Sequence, residues 1–444
     1  MPLPSVRADV DACPGALRLH AAADGPLARI RVPGGRMTGA QLTAVRELAA
    51  RWGDGQVELT SRGNLQLRAL RDAPVAELAG RLRAAGLLPS ETHELVRNIV
   101  ASPLAGALPV EALDGALCAD AALAELPGRF LFALDSGVGD VAFGADVAAL
   151  PLDPPGEVAI IFAGVDAGLR VPAAETIPAL LAAAHAFLDE REAQLGSPAP
   201  DMSVDSHPVA PPDSSGFVAS VDVPPDGRPP RRVPHPRAGS QRVPWRVREL
   251  LDGPVRVAAR TAATLGRTLR EPVRLSRPVV REPIGVVGQP DGTVAVGALI
   301  PLGRLSDVQL EVLEAAATLT FTPWRGVVLP GLTPQAAQAW VAALAGAGLE
   351  VAVGSRWAGV TACAGRPGCA KSLADVRADA DAATVAGDGL PVHWVGCARG
   401  CGSPAGPHVR VEATGTGYEV RSPYAVGSAS AAEVGVLVGA ARKG

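Results

Sequence analysis

Four of the chain's six cysteines fall in one C-terminal stretch, as Cys363 and Cys369, then Cys397 and Cys401. The spacing is C-x5-C, 27 intervening residues, then C-x3-C. Four thiolates in two close pairs suit either a zinc ion or an iron–sulfur cluster. Structural zinc favours tighter C-x2-C knuckles, and both gaps here are wider. Gly365, Pro367, Gly368, Gly396, Gly400 and Gly402 flank the cysteines. Loops of that composition let backbone amides approach and hydrogen-bond the sulfur of a cluster. The pattern therefore predicts a [4Fe–4S] cluster on these four residues, with zinc as the competing ion. Cys13 and Cys118 have no partners at ligand spacing and are expected to be ordinary buried thiols.

The scaffold that must position these loops is legible as an internal repeat. PGGRMTGAQL begins at Pro33 and PLGRLSDVQL begins at Pro301, 268 residues later. Thr38 and Ser306 stand as N-caps, and Gln41 and Gln309 three residues on complete a capping box. Leu42, Val45 and Leu48, like Leu310, Leu313 and Ala317, then mark one apolar helical face. Each copy continues as two strands around a turn. In the first, Val57 to Thr60 and Leu65 to Leu70 flank Ser61-Arg62-Gly63-Asn64. In the second, Phe321-Thr322 and Val327 to Leu329 flank Pro323-Trp324-Arg325-Gly326. A second helix in each copy stops at a glycine, Gly86 or Gly348, the residue type that ends helices most readily. Each unit is about 55 to 60 residues of βαββα(β) pattern, a ferredoxin-like α+β arrangement. Two such units predict a duplicated chain with pseudo-twofold symmetry.

At 444 residues and 48% hydrophobic, the chain can bury more than one core. Its net charge of −4 argues against a nucleic-acid partner. No stretch reaches the roughly 18 uninterrupted apolar residues of a spanning helix, and the start lacks the apolar core of a secretory signal. A cytoplasmic protein with no membrane partner is expected, and the sparse cysteines agree with a reducing compartment. Only Lys371 and Lys443 among the 41 basic residues are lysine, so a single arginine carries little information by itself.

The cysteine pattern, together with Thr60-Ser61-Arg62-Gly63-Asn64-Leu65-Gln66 upstream, resembles the nitrite/sulfite reductase superfamily. The resemblance implies an α+β fold of two ferredoxin-like repeats plus two α/β half-domains with pseudo-twofold symmetry. Its expected boundaries are 1–85 for the first repeat and 86–196 for the first half-domain. A Pro-rich linker at 197–244 follows, then 245–349 for the second repeat with its lead-in and 350–444 for the cluster-bearing half-domain. In the sirohaem reductases one cysteine of the C-x3-C pair bridges to the sirohaem iron, so Cys401 is implied to face the tetrapyrrole pocket. Arg62 and Gln66 match the family's T-x-R-x-x-x-Q motif, and Arg97-Asn98 match its R-N motif. These residues, with Arg129, are thereby expected to bind the carboxylates of a tetrapyrrole, as guanidinium forks can do in bidentate fashion.

Two departures narrow the resemblance. Sulfite reductases carry a Lys-x-Lys pair after Leu-Pro, but Leu126-Pro127-Gly128-Arg129-Phe130-Leu131 has Arg129 and Leu131 there. Six-electron reduction would lose its proton donors. Ala101-Ser102-Pro103 also replaces a frequent Cys-Pro. The segments 97–106 and 126–142 instead look like the precorrin-3B synthase family. That likeness implies a monooxygenase of aerobic cobalamin biosynthesis whose tetrapyrrole, precorrin-3A, is substrate. Dioxygen supplies a C20 hydroxyl and a γ-lactone forms. It also implies a mononuclear non-haem iron beside the [4Fe–4S] cluster. The reductant is expected to be NADH or an electron-donor protein, since no G-x-G-x-x-G turn stands in a strand–helix context. The alternative reading is a sirohaem-dependent nitrite or sulfite reductase.

A facial triad for the iron would need two histidines and a carboxylate. His93, beside Glu91 and Glu94, and His393, near Cys397, are the candidates, and for each a capping or structural role is expected ahead of iron ligation. Finally, Ser102 is expected to take in the first half the place of Cys363 in the second. One pocket between the halves would then set Arg62, Arg97 and Arg129 opposite Cys401.

Overall fold

The protein is described by a computed structural model covering residues 13–104, 108–153, 155–196, 243–273, 282–404 and 406–443. The first repeat runs β1 (Ala28–Ile30), β2 (Arg36–Thr38), α1 (Gly39–Trp52), β3 (Val57–Leu59), β4 (Leu65–Leu67) and α2 (Val75–Ala84). Next come β5 (Ile99–Ala101), α3 (Val110–Ala119), β6 (Phe132–Leu134), β7 (Val147–Pro151), β8 (Glu157–Phe162), β9 (Val165–Pro172) and α4 (Thr176–Gly196). After α5 (Gly253–Thr264), the second repeat is β10 (Gly285–Gly288), β11 (Val294–Leu299), β12 (Arg304–Leu305), α6 (Asp307–Glu314), β13 (Thr318–Phe321), β14 (Gly326–Leu332) and α7 (Pro334–Gly346). The chain ends with β15 (Val360–Ala362), α8 (Val376–Ala383), β16 (Val392–Val395), β17 (Val409–Ala413), β18 (Tyr418–Arg421), β19 (Val426–Ala429) and α9 (Val434–Lys443). The connector expected at 197–244 lies, except for its last two residues, outside the described residues.

Both capping boxes form. Thr38 Oγ1 accepts the Gln41 N–H at 3.2 Å, and Gln41 Oε1 accepts the Thr38 N–H at 3.0 Å. Ser306 and Gln309 repeat the exchange at 3.5 and 2.9 Å. The helices they start, α1 and α6, pack on each other. Ala317, expected on the apolar face of the second, is exposed because α6 stops at Glu314.

Among the described residues the strands form four sheets, and the two repeats exchange strands. One sheet is ordered β1-β4-β3-β12 and the other β10-β11-β14-β13-β2. β12 thus completes the first repeat's sheet, and β2 completes the second's. Because strand side chains alternate, each sheet has one apolar face, and these faces share one core with Leu42, Val45, Leu48, Leu310 and Leu313. The half-domains also match each other. The orders β5-β6-β7-β8-β9 and β15-β16-β17-β18-β19 each combine parallel pairing of the first three strands with antiparallel pairing of the rest.

One boundary moves. Val247, Leu250, Val257, Ala258 and Ala262 belong to the core of the first half-domain, where α5 packs on α4. The sequence had assigned that stretch to the lead-in of the second repeat. Among the described residues no helix is long and apolar enough to cross a membrane.

Candidate active site

Cys363 directly follows β15 and Cys397 is two residues beyond β16, so two adjacent parallel strands deliver the two cysteine pairs to one end of a sheet. The Gly396 N–H donates to Cys363 Sγ at 3.3 Å. Burial pushes the Cys401 thiol above its ordinary range, Arg399 opposes this, and Cys363, Cys397 and Cys369 push it further up. All four are free thiols. Gly365, Gly400 and Gly402 take φ of +65°, +62° and +82°, so their loops need glycine. A Cβ on Gly396 would lie 1.8 Å from Ser372 Oγ. Among the described residues no three His, Cys, Asp or Glu side chains converge as they would around one ion. Four thiolates in glycine-rich loops, one of them already accepting a backbone N–H, are a donor set of the kind that holds an iron–sulfur cluster or zinc.

The first half repeats the frame without the thiols. Ser102 N donates to Leu134 O at 3.1 Å, as Cys363 N does to Trp394 O at 2.9 Å. Ser136 N then donates to Ser102 Oγ at 3.0 Å, in the manner of Gly396 and Cys363. Ser102 does occupy the place of Cys363. Where a cluster would sit, Asp135 accepts the N–H groups of Gly137, Gly139, Val141 and Ala142 at 2.8 to 3.1 Å, and Ser102 hydrogen-bonds Asp140.

The cysteine loops abut the polar face of the first sheet. Arg29, Gln66, Glu58 and Arg304 lie in register across its four strands. Gln66 accepts from Arg29 Nε at 3.1 Å and donates to Glu58 Oε2 at 3.3 Å. Arg68 Nη2 donates to Gly368 O, within the first cysteine loop, at 2.9 Å, and Arg377 pairs with Glu58. Burial alone would raise the Glu58 pKa, but Arg377 and Arg68 hold it below the usual range. A cleft of about 390 Å³ lies here, lined by Glu58, Arg68, Arg304, Arg366, Gly368 and Arg377 among others. The matching row of the second sheet is Arg36, Thr320, Val328 and Gly297, which has lost all charge but one.

At the other end of the same face the cations are not neutralised. Arg31 is 3% exposed, and its Nη1 and Nη2 have no hydrogen-bond partner. Burial, then Arg29, push its pKa down to about 9. Arg62 is pushed down to about 10 by burial and by Arg246. Its Nη1 and Nη2 donate to Gly128 O and Arg129 O at 3.5 and 3.0 Å, and the Arg129 guanidinium stacks over Trp245 at 4.9 Å. Asn98 donates to Gly128 O at 2.8 Å and accepts from Asn64 at 3.3 Å, locking that loop to the turn. Arg31 and Arg29 were missed in the sequence. The signal is the Arg-Ile-Arg alternation, which puts both guanidiniums on the face opposite Ile30.

Other expected residues lie elsewhere. Arg97 donates to Asp114 through Nε and Nη2 at 2.8 and 2.7 Å and to Leu87 O at 3.2 Å, so it is a buried strut. With Arg31, it borders a second cavity of about 920 Å³, lined also by Met37, Val110, Leu319 and Trp340 and by none of the four loop cysteines. Both ring nitrogens of His93 are engaged, Nε2 with Asp120 O and Nδ1 with Ser90 and Thr92. Those of His393 bond Thr361 Oγ1 and Cys401 O, and burial pushes its pKa down to about 4. The two histidines therefore take the structural role and leave no ring nitrogen for an iron. Cys13 and Cys118 are half-buried, not buried as expected.

Comparisons with known proteins agree with this architecture. The nitrite/sulfite reductase ferredoxin-like half domain matches residues 20–85 and 287–347, the two repeats. The chain is 25% identical over 430 residues to a precorrin-3B synthase of Sinorhizobium sp, covering 92% of this chain and 81% of that one. It is 38% identical over 88 residues to a ferredoxin–nitrite reductase of Leptolyngbya laminosa, and 39% over 90 residues to that of Synechococcus elongatus. Those two matches span 17% and 18% of the reductases and 19% and 20% of this chain. The structure of the Mycobacterium tuberculosis NirA protein superposes with a TM-score of 0.65 at 17% identity, over 93% of this chain and 79% of that one. The chain thus carries two nitrite/sulfite reductase ferredoxin-like half domains, and over most of its length it is similar to a precorrin-3B synthase.

Proposed function

We propose that this chain is an oxidoreductase acting on a free tetrapyrrole polyacid, and that its reaction is the precorrin-3B synthase reaction. Precorrin-3A would gain one oxygen atom as a C20 hydroxyl and close a γ-lactone. The second atom of dioxygen would leave as water, with two electrons from NADH or an electron-donor protein and the protons from NADH and solvent, or from solvent alone. The observation that carries the reading is Arg31: a buried guanidinium with both Nη groups unpartnered, near Arg29 and Arg62, at the edge of the cavity of about 920 Å³. Unpaired buried cations are costly unless an anion joins them. A tetrapyrrole's acetates and propionates are such anions.

In this reading Arg31 and Arg62 grip carboxylates, while Gln66 holds Arg29 and Glu58 in line across the face. Asn98 and Arg129 fix the loop that Arg62 leans on. Cys363, Cys369, Cys397 and Cys401 would hold a [4Fe–4S] cluster, which supplies electrons one at a time. The cleft of about 390 Å³ beside the cysteine loops accepts a carboxylate-bearing edge, and Arg31 stands at the larger cavity of about 920 Å³. Neither candidate histidine has a ring nitrogen to offer, so this reading names no ligand for a mononuclear iron.

The two partial matches to nitrite reductases favour one rival, a sirohaem reductase. Arg129 and Leu131, where the sulfite reductases have lysines, speak against it. The visible spectrum of anaerobically purified protein separates the readings. A broad shoulder bleached by dithionite is expected. Intense Soret and red bands would mean bound sirohaem and the reductase reading.

A further inference from the structure

The β13–β14 turn carries a side chain where its counterpart has none. In the first repeat Gly63 N donates to Thr60 O at 3.2 Å, and Thr60 N to Asn64 O at 2.9 Å. In the second, Arg325 N donates to Thr322 O at 3.1 Å, and Thr322 N to Gly326 O at 2.9 Å. The turns are the same, and the third residue is left-handed in both, with φ +69° at Gly63 and +65° at Arg325. That conformation suits glycine and disfavours any residue with a Cβ. An arginine held there is backbone strain of the kind that collects at functional sites.

The surroundings make room for this side chain and give it no partner. Gly303, itself at φ +67°, lies under its stem, and a Cβ there would come 2.6 Å from Arg325 Cδ. The guanidinium reaches the second cysteine loop, with Nη2 3.6 Å from where a Cβ on Gly402 would stand. Gly402 follows Cys401, whose carbonyl is held by His393. Arg377, Glu58, Glu282 and Cys363 all act on Arg325 electrostatically. Among the described residues its side chain has neither a hydrogen bond nor an ion pair.

We propose that Arg325 sets the charge balance at the cysteine loops and raises the reduction potential of the cluster they hold. This rests on the cluster reading given above. A fixed cation in a partly dry site stabilises the more negative, reduced member of a one-electron couple. Adding an electron to the cluster adds one negative charge near the guanidinium, whereas no other side chain is bonded to that cation to spend its charge.

The test compares wild type, Arg325→Gln and Arg325→Lys, each purified anaerobically and analysed for iron and acid-labile sulfide. The reduced fraction is then read by electron paramagnetic resonance at a series of poised potentials. At the wild-type midpoint, the Gln variant is expected to show a reduced-to-oxidised ratio at least about tenfold lower, a shift of ~59 mV. The Lys variant should stay near wild type. An unchanged midpoint in the Gln variant overturns the proposal, as does a Lys variant that shifts as far as Gln. Loss of the cluster from both variants also overturns it, because the role would then be structural. Wild-type protein without iron and sulfide would instead overturn the cluster reading itself.

Discussion

Arg46 and Glu314 occupy the same position in the two repeats, 268 residues apart, and are bonded to each other through Nε–Oε2 at 2.9 Å and Nη2–Oε1 at 3.0 Å. A pair of equivalent residues in contact lies on the pseudo-twofold axis. In a true twofold dimer the axis would set like against like. Within one chain the two positions are free to differ, and here they carry opposite charge. Glu314→Arg should therefore lower the melting temperature by confronting two arginines, and Arg46→Glu with Glu314→Arg should recover most of the loss. A double variant no better than the single one would show that this contact does not couple the repeats.

Arg31 should trade stability for binding. Its Nε donates to Leu95 O at 3.3 Å but both Nη groups are unpartnered, so replacing it with methionine should stabilise the ligand-free protein by about 1 to 3 kcal/mol. The same change should weaken binding of a porphyrin polyacid about ten- to a hundredfold, the worth of one charge-assisted contact. Thermal melts and fluorescence quenching, run on the same samples, measure both. Lower stability with unaltered binding would remove Arg31 from the site.

Arg97 should behave in the opposite way. Its side chain is 4% exposed and Asp114 is 16% exposed, so Arg97→Ala strands a buried carboxylate. The expected cost is about 3 kcal/mol of stability. Porphyrin affinity, measured below the new melting point, should be unchanged. A stable variant with weakened binding would return Arg97 to the ligand pocket.

Asp140 gives the first half a pH signature. Burial raises its pKa from 3.8 to about 6, against the hydrogen bond from Ser102. A carboxyl whose folded pKa is raised contributes stability below its unfolded value and loses it as pH rises through the folded one. Stability attributable to Asp140 should therefore fall between about pH 4 and 6. Asp140→Asn should stabilise the protein at pH 7 by about 1 kcal/mol, allowing for solvent screening, and have no effect near pH 4. Equal effects at both pH values would contradict this.

The repeat was readable because its signals are local. A capping box spans four residues, and Gly35 and Gly303 mark the same turn. The cysteines were readable because a ligand set needs fixed residue types. What the sequence concealed depends on partners distant in the chain. Nothing near Arg97 announces Asp114, and nothing near Arg31 announces that its Nη groups stay unpartnered. The apolar stripe of α5 predicts a helix but not which core it joins, so that stretch was placed with the wrong half. Arg325 was invisible because its strain appears only when its turn is overlaid on the one at Gly63.

The central claim is that a tetrapyrrole on the Arg31–Arg62 face is oxidised by dioxygen. The most direct test is turnover of precorrin-3A by the reduced holoprotein under isotopically heavy dioxygen, with mass spectrometry of the tetrapyrrole. The expected product carries one heavy oxygen atom from the gas. An unlabelled or unchanged tetrapyrrole, from protein that instead consumes nitrite or sulfite, would contradict the account.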